Sequence, residues 1–420
     1  MEFTKIYSPR LDETCYFMKH PTGVRIYVYP RPDCDGAYAM YGANCGSVDD
    51  NFRLSDEKEF TKVPAGIAHF LEHKLFENED CDAFERYAKT GASANAYTSF
   101  DRTCYLFSCT ENFDESFEIL LDFVQAPYFT EATVQKEQGI IGQEIRMYDD
   151  TPDWCVMVNM LAAMYKNHPI RLDIAGTTET IAEITADLLY RCYGAFYHPS
   201  NMAITVAGNI TPEQVLAACD KYLKPSKPVT LECAEADEPE GVSEKLVRQH
   251  LDVGIPMFNL GFKDKAGRLT ARKAVGLEIL LESISGEYTP LYRSLLDAHL
   301  INQSFCHEYM NVRDANAAVF AGESQQPEKV RDAVFAELTR LRKEGIDPEI
   351  FECARRSVYA NLVASFASNS GIAGSLMESC FASQGVFDAL DAAAEITLAD
   401  IEKLLSENLD IEKSVLSIIE

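Results

Sequence analysis

Three side chains in one short stretch have the types and the spacing needed to hold a metal ion and to activate water: His69, Glu72 and His73. The two histidines are four residues apart, so on a helix their imidazoles project from one face and can reach one ion. Zinc suits imidazole nitrogens and, in a catalytic site, keeps a position open for water. Because bound zinc lowers the pKa of that water to about 7, Glu72 could act as its general base. The stretch therefore predicts a catalytic zinc site.

Two histidines at this spacing can also occur by chance, or one of them can be a hydrogen-bonded side chain in a core. The chain contains eight histidines, and two of them frame a glutamate here. Phe70, Leu71 and Leu75 give the same helix an apolar face that can be buried. The order H-x-x-E-H is the reverse of H-E-x-x-H and is the inverzincin signature, which favours the metal site.

The elements around the histidine helix follow from residue patterns. A β-branched and aromatic run at 24–29 predicts a strand. The polar, charged segment 49–62 is expected to be a loop. Alternating residues at 94–99 and 103–107 predict a β-hairpin about the turn 100–102.

A long helix is expected to begin after Thr130, and it would carry two glutamates. Glu137 and Glu144 are seven residues apart and therefore lie on roughly the same helix face. Gly139 and Gly142 lie between them, although glycine inside a helix costs about 1 kcal/mol relative to alanine. We therefore expect another backbone or the metal site to approach the helix at these glycines.

The chain divides into two halves. Residues 225–244 contain three prolines and several acids with little to bury, which predicts a linker between domains 1–224 and 245–420. Near the end of each half the residues Glu-Ile-Thr recur, at 183–185 and 395–397, and each copy precedes a predicted helix and then a strand. The recurrence indicates an internal duplication. The second half has no H-x-x-E-H.

The formal net charge of −28 limits the classes of partner that this protein is expected to bind. Nucleic acid needs clustered Lys and Arg, so we expect no nucleic-acid binding and no anionic membrane partner. An acidic surface is usually a matter of solubility, and the alternative is attraction of basic peptides.

The cysteines and the N-terminal residues predict a cytoplasmic location. The thirteen cysteines are odd in number, scattered and never arranged as C-x-x-C, which fits reduced thiols in the cytosol. Residues 1–16 carry charges and no apolar core, so we expect no signal peptide there. No apolar run approaches the roughly 18 residues of a membrane helix.

Several stretches resemble the pitrilysin/insulinase-type zinc peptidases, the family that includes the mitochondrial processing peptidase. The resemblance covers most of residues 20–225, in the family's order, and is carried by 66–73, 91–105, 137–145, 176–177 and 200–208. It implies an α+β fold of two similar domains, each a mostly antiparallel sheet covered by helices. It also implies a Zn²⁺-dependent endopeptidase acting on peptides or short unfolded segments. The second half resembles the family in pattern and length only.

The resemblance assigns roles to further residues. Glu144 matches the third zinc ligand, and Glu137 matches an upstream carboxylate that would orient the ligands and support catalysis. For both, the alternative is a solvated helix face. Asn95 and Ala96 match residues of an edge strand that pairs with the extended substrate, and the alternative is an ordinary buried hairpin.

One departure from the family concerns an arginine and, seven residues later, a tyrosine that help hold the substrate carbonyl. In this chain Leu296 and Gln303 occupy those positions, while Tyr292 and Arg293 are near but out of register. A missing oxyanion donor removes roughly 2.7–4 kcal/mol of transition-state stabilisation. The resemblance therefore implies a heterodimer in which a homologous partner subunit supplies the pair, or alternatively a homodimer.

Two alternatives to a peptidase differ in what they require of the sequence. The family also contains members that serve as non-catalytic scaffold or assembly subunits, but a scaffold has no need of an intact H-x-x-E-H. A thiol hydrolase would need a nucleophile motif around one of the cysteines, and the sequence has no such motif.

Overall fold

The computed structural model describes residues 3–79, 81–227 and 230–420. These residues form fifteen strands: β1 Thr4–Ser8, β2 Glu13–Lys19, β3 Arg25–Pro30, β4 Ala37–Ala43, β5 Asn51–Leu54, β6 Thr61–Lys62, β7 Ser93–Thr98, β8 Thr103–Cys109, β9 Met202–Gly208, β10 Leu231–Cys233, β11 Leu246–Gln249, β12 Met257–Lys263, β13 Cys306–Val312, β14 Ala315–Glu323 and β15 Ser414–Ile419.

The same residues form fifteen α-helices: α1 Ile67–Phe76, α2 Ala83–Thr90, α3 Phe113–Phe123, α4 Glu131–Asp149, α5 Pro152–Met164, α6 Thr178–Ala182, α7 Ala186–Phe196, α8 Pro212–Tyr222, α9 Ala271–Ser285, α10 Pro290–Asp297, α11 Pro327–Glu344, α12 Pro348–Ser365, α13 Asn369–Ala382, α14 Asp388–Glu395 and α15 Leu398–Glu407. The mixed helical and stranded architecture confirms the predicted α+β class.

The chain forms two compact units, and each unit is assembled from three stretches of sequence. Unit 1 contains Met1–Ile145, Asp173–Glu235 and Ala364–Val386, and unit 2 contains Arg146–Leu172, Ala236–Val363 and Phe387–Glu420. The passage from Glu235 to Ala236 lies inside the predicted linker. Each unit also includes a segment from the other half of the sequence, and that segment contains α13 in unit 1 and α5 in unit 2.

Unit 1 is built on a seven-stranded sheet in the order β1-β2-β3-β9-β4-β8-β7. Side chains alternate across its faces with the period of two that a strand imposes. Met40 on β4 and Cys104 on β8 pack with Met377 of α13 on one face. Tyr105, the next residue of β8, contacts Phe76 of α1 on the other face, with ring centroids 5.8 Å apart. Helices therefore cover both faces of the sheet.

The hairpin prediction is confirmed, and the loop prediction for 49–62 is wrong. Strands β7 and β8 pair antiparallel. Strand β5 lies within 49–62 and pairs with β6 and with β10 from the predicted linker. Phe52 is the physical reason, because its fully buried ring packs edge-on against Phe196 at 4.6 Å and anchors a strand whose other residues are partly exposed.

Unit 2 is built on a five-stranded sheet in the order β11-β15-β12-β14-β13. Helix α5 packs on β12 and β15, and a Cβ added to Gly261 of β12 would come within 2.5 Å of Met160 Sδ. The core of the unit includes residues from α9, α11 and α15 together with strand residues such as Leu260 and Phe320. Each sheet therefore carries a helix that is remote in sequence.

The two sheets have one topology, which supports the predicted duplication. In chain order, β3, β4, β7, β8 and β9 correspond to β11, β12, β13, β14 and β15. Both sets share the spatial order first, last, second, fourth, third, and in both only the first and last strands pair parallel. The recurring Glu-Ile-Thr places Thr185 and Thr397 at the N-caps of α7 and α15, each of which precedes the last strand of its sheet.

Candidate active site

Helix α1 is held in unit 1 by an apolar face and by a close backbone contact at its start. Phe70, Leu71 and Leu75 are at most 1% exposed. The helix begins after Gly66, whose φ of +92° is strained for other residues. A Cβ on Gly66 would lie 2.4 Å from the carbonyl oxygen of Ala175, so only glycine allows the two segments to meet. This contact fixes the start of the helix that carries the H-x-x-E-H residues.

The three predicted metal ligands converge in unit 1. Candidate ligand atoms of His69, His73 and Glu144 all lie within 4.8 Å of one another. His69 Nε2 is 3.7 Å from Glu144 Oε1, and His73 Nε2 is 3.5 Å from Glu144 Oε2. Two imidazoles and one carboxylate form the donor set of a catalytic zinc site. The residues present therefore fit a zinc ion.

Glu137 contacts His73 from behind the candidate metal position. Its Oε1 lies 3.1 Å from Nδ1 of His73, the ring nitrogen that faces away from Glu144. A carboxylate at Nδ1 favours the tautomer whose Nε2 has a free lone pair. Nδ1 of His69 is buried and has no hydrogen-bond partner among the described residues, so Glu137 orients one of the two histidines.

The electrostatics of the two histidines differ. Burial, and then the proximity of His73, lowers the pKa of His69 to about 4, so this ring is neutral at pH 7. Burial also lowers the pKa of His73, but the hydrogen bond to Glu137 and the charges of neighbouring carboxylates outweigh it and raise that pKa overall. In turn, the pKa of Glu137 is lowered, because bonding to His73 and the charges of nearby lysines outweigh its burial. His73 and Glu137 therefore behave as an ion pair.

Glu72 lies on the same helix and is 8% exposed. Its Oε2 accepts a hydrogen bond of 2.6 Å from Oγ1 of Thr98, the last residue of β7. Burial raises the pKa of Glu72, and the bond from Thr98 opposes that rise. Thr98 is not among the site residues that the sequence predicts. The signal that could have found it is its place two residues after Ala96, on the same face of the strand.

Glu137 and Glu144 lie on α4 as expected, but the reason given for the glycines between them is wrong at Gly139. A Cβ added to Gly139 would meet no atom within 4 Å. Gly142 is buried. Helix α4 therefore presents its carboxylates to α1 without needing a close approach at Gly139.

A cavity of about 620 Å³ opens beside Glu72, His73 and Glu137. Asn95 and Ala96 of β7 also line it, and β7 is an edge strand of its sheet, with alternately exposed and half-buried residues. The cavity joins the candidate metal centre to this strand. The sequence analysis missed its remaining lining residues, which are Phe76, Glu77, Asn78, Glu79, Cys81, Asp82, Phe84, Lys136 and Ile140.

The two residues that the resemblance assigns to the family's arginine and tyrosine positions lie in unit 2. Leu296 on α10 is 38% exposed, and Gln303 is also exposed. The nearby Tyr292 is 4% exposed and packs against Phe305 in the core, with ring centroids 6.1 Å apart. Its burial removes the obvious out-of-register substitute for the missing tyrosine.

The fold and the paired histidines with two glutamates define the class of H-x-x-E-H metallopeptidase-like proteins. Comparison with known proteins identifies the family. The model of the insulinase family, peptidase family M16, matches residues 59–178, and the model of the M16 inactive domain matches residues 183–358. This chain belongs to the insulinase family.

The relatives agree with this assignment. The uncharacterized zinc protease YmfH of Bacillus subtilis is 38% identical over 412 residues, which cover 96% of each chain. A protein described as a mitochondrial-processing peptidase subunit beta from Schizosaccharomyces pombe is 29% identical over 230 residues, 54% of this chain and 48% of that protein. The crystal structure of an M16-like peptidase from Alicyclobacillus acidocaldarius matches with a TM-score of 0.93 and 31% identity, over 100% of this chain and 98% of that one.

Proposed function

We propose that this protein is a zinc-dependent endopeptidase that hydrolyses peptides or short unfolded segments. The observation that carries the proposal is the convergence of His69, His73 and Glu144 with Glu72 beside them. The zinc-protease descriptions of its relatives support the same reaction class. A scaffold would have no use for a buried base and an oriented histidine at one cavity.

Each residue of the site has a separate role in the proposed hydrolysis. His69, His73 and Glu144 would hold the zinc ion, which when bound polarises the scissile carbonyl and lowers the pKa of water. Glu72 accepts the proton of the attacking water and later passes it to the leaving amine. Glu137 keeps the His73 ring turned towards the ion, which is a supporting role and not a proton-transfer role.

The peptide would bind as an added strand along β7. An edge strand offers unpaired backbone groups to an extended chain. Asn95 and Ala96 lie on that edge at the cavity, so they are placed to align the scissile bond with Glu72. The Ala96 N–H donates to Oδ1 of Asn95 at 2.9 Å, and we expect an incoming peptide to replace this contact.

We further propose that the chain is the catalytic subunit of a heterodimer. Leu296 and Gln303 provide no cation and no phenol where the family has its arginine and tyrosine, and Tyr292 is buried. A relative bears the description subunit beta of a mitochondrial-processing peptidase. A homologous partner, or alternatively a second copy of this chain, would supply the missing pair.

The proposed compartment is the cytoplasm. None of the thirteen cysteines, all of which the structure describes, forms a disulfide, and a reducing compartment maintains thiols in that state. None of the helices in the described part of the chain has the length and apolar character to cross a bilayer.

The test of the proposed reaction is Glu72→Gln. This substitution keeps the shape and the hydrogen-bond acceptor for Thr98 but removes the base, so zinc content should stay near one per chain while kcat falls by about 10²–10⁴-fold. Zinc would be measured by elemental analysis, and kcat with a quenched-fluorescent peptide.

Glu115→Gln is the matched control, because Glu115 is exposed on α3 and the charge change is the same. It should leave kcat unaltered. Near-normal cleavage by zinc-loaded Glu72→Gln would remove Glu72 from the mechanism. Purified wild-type chain that takes up no zinc would favour the scaffold function instead.

A further inference from the structure

The hydroxyl of Thr98 is placed where a general base needs support. Glu72 is 8% exposed, so bulk water solvates little of its carboxylate. Oγ1 of Thr98 donates to Oε2 of Glu72 at 2.6 Å, a short distance typical of a hydrogen bond to a charged acceptor. With Oε2 engaged, Oε1 is the oxygen left to take a proton from water.

The direction of this bond follows because an ionised carboxylate only accepts hydrogen bonds, and because the neighbouring hydroxyl donates elsewhere. Oγ1 of Thr103 is 3.5 Å from that of Thr98, but Thr103 donates to the carbonyl oxygen of Cys45 at 2.9 Å. Each hydroxyl has one proton. Thr103 therefore uses its proton on the backbone, and Thr98 directs its own to Glu72.

Thr98 is held by parts of unit 1 that are independent of α1. It pairs with Thr103 at the closed end of the β7–β8 hairpin. The turn is tied to a neighbouring loop, since the N–H groups of Ser47 and Val48 donate to Ser99 and Phe100 carbonyls at 3.1 and 3.0 Å. The hydroxyl consequently approaches Glu72 from a rigid support.

Thr98 also lies on the strand proposed to bind the peptide. Ala96 and Thr98 occupy the same face of β7, and Ala96 lines the cavity. One strand therefore sets the alignment of the peptide and the orientation of the base.

We infer that Thr98 is a positioning residue for hydrolysis, which holds one oxygen of Glu72 so that the other faces the attacking water. This inference rests on the proposed function and adds to it a residue that acts through Glu72 without touching substrate.

The test compares Thr98→Val, Thr98→Ser, Glu72→Gln and wild type as full-length chains, purified with any subunit that accompanies them. Valine keeps the volume and removes the hydroxyl, so kcat should fall by about 10- to 100-fold, the loss expected for one hydrogen bond to a charged group. KM and zinc content should stay within about twofold of wild type, because the substitution leaves the backbone of β7 and the metal ligands unchanged. Thr98→Ser should recover kcat to within about threefold.

Ser108→Ala is the control for altering the hairpin, because Ser108 is exposed on the neighbouring strand β8, at the end of the hairpin away from Thr98. It should behave as wild type. A second readout does not need activity: a crystal structure of the Thr98→Val chain should show the Glu72 carboxylate rotated from its wild-type position, and that of Thr98→Ser should not.

The outcomes separate this inference from the proposed function. Inactive Glu72→Gln together with fully active Thr98→Val would overturn the role of Thr98 alone. The role of Thr98 would also be overturned if loss of zinc explained the lower activity of Thr98→Val. The same holds if Thr98→Ser lost as much activity as Thr98→Val. Full activity of Glu72→Gln would overturn the proposed function, and the Glu72 position in the Thr98→Val crystal would then decide whether the contact orients that side chain at all.

Discussion

At the scale of residues, the two histidines of the site differ in protonation. One is already neutral, and the other is paired with an acid. His69 has a pKa of about 4, whereas the pKa of His73 lies above its ordinary value because Glu137 is bonded to it. A metal must displace a proton from any ligand that carries one. The pH dependence of zinc binding should therefore report His73.

The raised pKa of His73 predicts a defined pH profile for zinc affinity. A raised pKa means that His73 keeps its proton at a higher pH than a free histidine, so zinc affinity should weaken as pH falls from 8 to 6. Below the His73 pKa the loss should approach about tenfold per pH unit, because one proton competes. His69 adds no further step in that range, since its pKa is about 4. Competition with a chromophoric chelator at several pH values measures the profile.

Glu137→Gln should change this profile in two ways. At pH 8 the zinc Kd should rise by about 10- to 100-fold, because the carboxylate that orients His73 is gone. The remaining pH dependence should move to lower pH, because His73 loses its strongest stabilising partner. Glu349→Gln, at an exposed position on α12, is the matched control. An unaltered Kd and pH profile in Glu137→Gln would show that Glu137 affects neither the orientation nor the pKa of His73.

At the scale of elements, two glycines near the site have opposite meanings. Gly139 lies in α4 with open space where a Cβ would be. Gly176 has a φ of +74°, and a Cβ there would lie 2.4 Å from the carbonyl oxygen of Ala65, next to the start of α1. Gly139 destabilises its helix, whereas Gly176 is required for the placement of the histidine helix.

Alanine at each position tests this difference. Gly139→Ala should stabilise the protein by about 0.5–1 kcal/mol, because alanine loses less entropy in a helix. Its Tm should rise by about 1–3 °C. Gly176→Ala should lower Tm and weaken zinc binding, because α1 must shift. Calorimetry and zinc titration measure both effects, and a lower Tm for Gly139→Ala would contradict the account.

The acidic segment predicted to be a linker shows that a charge pattern alone does not reveal which charged residues are bonded within the fold. Glu238 lies in this segment, yet it accepts the backbone N–H groups of Lys166, Asn167 and His168 within unit 2. The buried Lys263 donates to it at 2.6 Å. Although burial raises the pKa of Glu238, these bonds lower it to about 2. Nothing in the sequence separates this glutamate from its solvated neighbours, because its partners come from distant segments.

At the scale of the whole molecule, the missing arginine and tyrosine predict dependence on a second subunit. A size-exclusion run of the native complex should elute above the mass of one chain, and mass spectrometry should identify a homologous partner or this chain alone. Adding the partner should raise kcat/KM by about 10²–10³-fold, the usual effect of one oxyanion donor. High peptidase activity from the monomer would contradict the prediction.

By itself, the sequence determined the local parts of this protein. It predicted the histidine helix, the hairpin, the glutamate helix and the duplication, because each depends on spacing within a short segment: His69 and His73 lie four residues apart, and Glu137 and Glu144 lie seven apart. The resemblance to a known family selected Glu144 as the third ligand. Strand β5 within 49–62 was missed, because Phe52 is its one buried residue and its partner strand β10 comes from a distant segment.

The tertiary structure decided which of these parts meet. It brought Glu144 on α4 to within 3.7 Å of His69 on α1, placed β7 at the edge of its sheet, and set Thr98 against Glu72. It also included α13 in unit 1 and α5 in unit 2. Such contacts join residues that are far apart in the chain, and they depend on how buried surfaces of several elements fit together. The spacing of residues within one segment does not determine that fit, so the fit is seen only in the folded chain.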